Sequence, residues 1–87
     1  MSPFSFDEYF HPFRFTYNVN KLRHAYSEVS KELDQRLSGQ MNDPNPDLSD
    51  ATMGELLRIL HGIFSWMAAI MSIERAIWTD IRYGSQT

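Results

Sequence analysis

The sequence predicts an all-α fold. It reads as an antiparallel hairpin of two long helices that carries an extended aromatic arm at its N-terminus and dimerises into a helical bundle. Three observations predict it. Apolar residues recur at helical spacing over residues 18–37 and again over residues 52–83. A proline-bearing stretch, "NDPNPDLSD", separates the two periodic runs. Five of the six phenylalanines crowd into "SPFSFDEYFHPFRFTY", residues 2–17, which holds two prolines and alternates in steps of two.

The arm, residues 1–17, is expected to be extended. Phe4 and Phe6 alternate with a serine, and Phe13, Phe15 and Tyr17 alternate with Arg14 and Thr16, so alternate rings face one way. Pro3 and Pro12 disfavour a continuous helix. The arm is expected to lay Phe10, Phe13 and Phe15 on apolar surface, either of its own chain or of a partner.

The first long helix spans about residues 18–38. Val19, Leu22, Tyr26, Val29 and Leu33 follow 3-4-3-4 spacing, and Leu37 extends the stripe. Glu32 and Arg36 form an i,i+4 pair in the favourable order. Gly39 stands where a C-terminal glycine belongs. The turn, residues 39–51, follows, because its two prolines remove donors and push Asp43 and Asn45 towards extended backbone.

The second helix is expected over about residues 52–83 and ends at Gly84. Thr52 and Glu55 stand three apart in the capping-box arrangement. Read in sevens, this helix shows four apolar columns. Leu56, Ile63, Ile70 and Ile77 form the first, and Leu57, Phe64, Met71 and Trp78 the second. Ile59, Trp66 and Ile73 form the third; Leu60, Met67 and Ile81 form the fourth, which Glu74 interrupts. Together they cover an arc of roughly 160°. Gly62, Ala69 and Ala76 add a column of small residues beside it.

The first helix offers a single seam and is too narrow to cover that arc, so a further surface must pack there. The expected interface therefore takes in Ile59, Ile63, Phe64, Trp66 and Met67, continues through Ile70, Met71, Ile73, Ile77 and Trp78, and is joined by the arm rings. Chain length points the same way. At 87 residues the chain is one domain that buries only about 60–65% of its unfolded surface. With no cysteine there are no disulfides and no thiolate metal sites, which leaves association as the remedy.

The charge pattern narrows the partners. The chain is acidic, at −3, and Asp43, Asp47 and Asp50 lie in a stretch with no basic residue. No basic stripe is present to neutralise phosphates, which argues against nucleic acid. The three aspartates do not follow the spacing of an EF-hand loop. His11, His24 and His61 are too scattered for a ligand set, so neither metal nor cofactor is expected. The start lacks a basic and then apolar leader, and the expected location is the cytoplasm. "ILHGIFSWMAAIMSI", residues 59–73, is uncharged but falls short of the about 20 apolar residues of a spanning helix.

No catalytic set is expected either. His61 and Ser65 stand four apart on one helix face, but no orienting acid lies nearby, and mid-helix amides are already bonded and offer no oxyanion donor. No glycine-rich phosphate loop is present. The layout of helix, "NDPNPD" turn and long C-terminal helix over residues 18–83 resembles needle and inner-rod subunits of type III secretion systems, which implies polymerising helical hairpins. In size and shape it is also similar to small helical anti-activators and phage-type inhibitors, which implies a dimer that occludes a regulator.

The sequence therefore predicts a non-enzymatic protein-protein interaction module. It would act as an inhibitor, adaptor or regulatory subunit, as a homodimer that also binds another protein. A structural subunit of a secretion needle or rod is the alternative, and a small membrane-associated protein is the third reading.

Overall fold

The computed structural model describes residues 4–83, and the expected helix end at Gly84 lies outside them. The fold is all-α, with no strand among the described residues. It comprises α1 (Phe6–Phe10), a 3-10 turn (His11–Phe13), α2 (Val19–Ser38) and α3 (Met53–Tyr83).

The caps that bound the long helices are local and follow from the sequence. The Asn18 side chain accepts from the Lys21 amide at 3.2 Å and starts α2. Gly39 ends it at φ 74°, a left-handed conformation that glycine adopts without a Cβ penalty. At the head of α3 the Glu55 amide donates to Thr52 Oγ1 at 3.1 Å, and the Thr52 amide donates to Glu55 Oε1 at 2.9 Å.

Among the described residues there are three helices, not two, and residues 6–13 of the arm are not extended. Residues 6–13 coil into α1 and the 3-10 turn. The reason is local. Ser5 Oγ accepts from the Glu8 amide at 3.3 Å, and Asp7 and Glu8 place acids in the first turn. Pro12 falls at the start of the 3-10 turn, where its missing N–H costs nothing. The alternation had concealed a second spacing: Phe6, Phe10 and Phe13 are four and three apart. Phe6 and Phe10 stack at 5.3 Å between centroids, and Tyr9 meets Phe13 at 5.9 Å.

α2 and α3 make the largest packing contact of the fold. Arg36, near the end of α2, bonds the Ala51 carbonyl just before α3, and Trp66 within α3 bonds the Thr16 carbonyl just before α2. The two long helices thus run in opposite directions. Leu22, Ala25 and Val29 of α2 are buried against Leu56, Ile59, Ile63 and Ile70 of α3. Leu37, expected to extend the stripe of α2, is exposed; the buried face continues through Glu32 instead.

The turn between α2 and α3 is a fixed part of the core. Its Leu48 and Ala51 are buried with the helix residues. Glu32, 1% exposed, accepts from Arg36 Nε at 3.0 Å and from the Asn45 amide at 3.1 Å. Arg36 also donates to the carbonyls of Leu48 at 2.8 Å and Ala51 at 2.5 Å. Gln35 holds Asp43 through both its amide and its carbonyl, and Lys31 pairs with the Asp43 carboxylate. No buried side-chain nitrogen or oxygen is left without a partner among the described residues.

Helix length decides what stays uncovered. α3 has 31 residues and α2 has 20, so α3 outruns its neighbour by about 16 Å at 1.5 Å per residue. From Met71 to Arg82 every residue is exposed.

Candidate functional site

Two features stand out, and both lie on α3. The first is an uncovered apolar face. Leu57, Phe64, Met71 and Trp78, each seven residues from the next, are all more than half exposed, and so are Ile77 and Ile81. These side chains occupy one flank of the helix up to residue 70. Beyond it they occupy the core-facing side too, because Ile77 continues the column of buried Ile63 and Ile70 past the N-terminal end of α2.

The second feature is an aromatic cleft of about 330 Å³ where α1 and the 3-10 turn meet α3. Phe6, Phe10, Phe13, Phe15 and Trp66 line it, with Arg14 at the edge and Gly62 as part of the floor. The rings are held from outside by cations. Arg58 lies over Phe6 at 4.2 Å, Lys21 over Phe13 at 5.8 Å and Arg14 over Phe10 at 5.8 Å. Arg14 also donates to Asp7 at 2.9 Å. Trp66 is anchored by its indole N–H to the Thr16 carbonyl and by the Tyr17 ring at 5.7 Å.

The residues expected at an interface separate into three groups. Ile59, Ile63 and Ile70 are consumed by the chain's own core. Phe10, Phe13, Trp66 and Met67 are half-buried and pack against that core. Phe64, Met71, Ile73, Ile77 and Trp78 are exposed. Phe15 was expected to lie on apolar surface, but its side chain is 83% exposed, and its φ of 62° turns the chain into α2. A phenylalanine in the left-handed region is strained, and among the described residues it is alone in this apart from Gly39.

The small-residue column is occupied in part by the chain's own arm. A Cβ built on Gly62 would lie 2.9 Å from Phe10 Cζ, so the chain's own arm takes that space. Ala76 is exposed. Glu74, set among apolar positions in the sequence, is exposed as well.

Among the described residues three groups have shifted acidities. Burial raises the pKa of Tyr9, and the charges of Glu28 and Asp47 add to the rise. The hydrogen bond and charge between Lys31 and Asp43 raise the lysine and lower the carboxylate. None of the three lies in a cleft with a nucleophile. His61 and Ser65 are exposed on α3. Among the described residues no group of three or more His, Asp or Glu is placed to hold a metal ion. What α3 and the cleft offer is apolar contact area with a cationic rim.

The sequence columns marked Leu57 and Ile81 as apolar, but nothing local distinguished them from the columns that the core takes up. Arg58 gave no sequence signal for its seat over Phe6, because the two are 52 residues apart. No family model, curated protein or solved structure matches the chain.

Proposed function

We propose that this chain is a small non-enzymatic protein-protein interaction module, an inhibitor, adaptor or regulatory subunit, that engages its partner through the uncovered face of α3. One observation carries the reading. Twelve consecutive residues, Met71 to Arg82, are exposed and include Met71, Ile73, Ile77, Trp78 and Ile81. So many large apolar side chains left exposed on one helix end are uncommon on a protein that works alone and point to an interface. Trp78 supplies the rigid aromatic anchor that interface energetics favour.

A second reading has its own observation. α3 is long and apolar enough, by length and composition, to cross a membrane, and only 22% of its apolar window is buried. Against it stand Arg58, Glu74, Arg75, Asp80 and Arg82, which leave 15 uncharged residues where a span needs about 20.

Light scattering and fractionation of the full chain test both. A discrete small assembly in buffer supports the interaction module. Retention in the detergent fraction supports the membrane reading. Filaments that lengthen with concentration support a needle or rod subunit instead.

A further inference from the structure

We infer that α3 pairs with α3 of a second copy, antiparallel, through a heptad seam, and that two chains thereby complete a helical bundle. This rests on the interaction reading above and names its first partner.

The seam has two sets of positions. Leu57, Phe64, Met71 and Trp78 recur every seven residues and are more than half exposed. Leu60, Met67, Glu74 and Ile81 lie three residues further on. The resulting 3-4 alternation over residues 57–81 is the pattern of a coiled-coil seam. At 100° per residue the first set lies roughly a quarter-turn round the helix from the stripe that faces α2. A helix at the corner of a bundle meets its second neighbour in this way. Leu60 and Met67, half-buried, sit between the two contacts and touch the core from the side.

Area and charge select the occupant. The five seam side chains that are more than half exposed offer on the order of 500 Å² per copy, so a pair buries about 1,000 Å², the lower edge of a specific interface. Glu74 is the one charged seam position. A parallel pair in register sets Glu74 against Glu74, two carboxylates inside an apolar contact. Reversing one copy about the point midway between Met67 and Met71 removes that clash. Leu57 then opposes Ile81, Leu60 opposes Trp78, and Met67 opposes Met71. Phe64 opposes Glu74, whose methylenes lie on the ring while its carboxylate reaches water. The two Glu74 residues then stand about 15 Å apart along the axis. All eight positions are used, whereas a shift of one heptad either way leaves two of them unpaired.

The absence of cysteine makes the test direct, because any introduced cysteine is unique. Ala68→Cys and Thr79→Cys, both at exposed positions beside the seam, are spin-labelled in the full chain and their distances read by double electron-electron resonance. In the antiparallel pair the Ala68 labels are offset by about 3 Å along the axis and the Thr79 labels by about 30 Å. A short distance at the first site and a long one at the second, with a solution mass of two chains, is the expected result. Phe64→Glu should weaken association at least tenfold while leaving the helical circular dichroism unchanged, since Phe64 is outside the core. A single-chain mass, short distances at both sites, filaments, or a Phe64→Glu protein that stays dimeric would each overturn the pairing. The broader reading is tested separately. If the wild-type chain is monomeric yet retains a host protein that Phe64→Glu loses, the module stands and the self-pairing falls. If neither associates with anything, both fall.

Discussion

The ring of Phe10 lies directly on the α-carbon of Gly62: a methyl there would stand 2.9 Å from Cζ and 3.0 Å from Cε2 of the ring. Two effects oppose each other at this contact. Alanine in a helix interior is favoured over glycine by about 1 kcal/mol, while displacing a ring that stacks on Phe6 loses packing. Gly62→Ala alone should therefore gain little or destabilise. In a Phe10→Ala background the clash is gone, and the same change should stabilise by about 1 kcal/mol. Urea denaturation of the four proteins gives the coupling energy. Equal effects in both backgrounds would mean that the ring does not sit there in solution.

Glu32 is the hinge of the turn's hydrogen bonds. Glu32→Ala leaves Arg36 and the Asn45 amide without their shared acceptor. The expected loss is about 3 kcal/mol, the low end for breaking a buried pair, because Arg36 keeps some access to water. Lys31→Ala removes an exposed pair and should leave the urea midpoint unchanged within error. The lowered pKa of Asp43 fixes the sign of its pH dependence. Its contribution is present above the ordinary carboxylate value and is lost as pH falls through the folded value.

Leu48 is a core residue carried by a turn. It is fully buried although it lies between two long helices, so Leu48→Ala should cost about 2–5 kcal/mol. Leu37→Ala, in a regular helix but on its exposed side, should change stability by less than about 0.5 kcal/mol. A reversal of that order in thermal melts would mean that the turn is not packed as described.

Phe15 is held at φ 62° with its ring in water, so its side chain contributes little contact to offset the strain. Phe15→Gly should raise stability by up to about 1 kcal/mol. A loss of stability would show that the ring is gripped by another surface in solution.

The Tyr9 phenol should titrate above its ordinary value. Its pKa is raised by burial and then by Glu28 and Asp47, so the stabilisation from keeping it neutral is complete below the ordinary phenol value. That stabilisation is lost as pH rises through the folded value. Ultraviolet titration of the full chain and of Tyr9→Phe should differ by a step above the ordinary phenol value, together with loss of helix in the full chain. Glu28→Gln should shift that step to lower pH.

By itself the sequence determined what is local. Asn18, Gly39 and Thr52 bound the long helices because a cap is settled within three or four residues of chain, and the structure keeps those ends within a residue. The apolar columns of α3 were legible for the same reason, since helical period needs no partner. Only the tertiary structure decided which columns would be covered. An apolar arc of about 160° is wider than one helix can hide, and the choice went to Ile59, Ile63 and Ile70 because the shorter α2 meets α3 there and reaches no further along it. The rings of the arm fit two periods, extended and helical, and the Ser5 cap together with packing on Gly62 selects the helical one over residues 6–13. The i,i+4 spacing of Glu32 and Arg36 was legible; folding the turn over them made them its anchor, through contacts thirteen and fifteen residues away in the chain that no local pattern encodes.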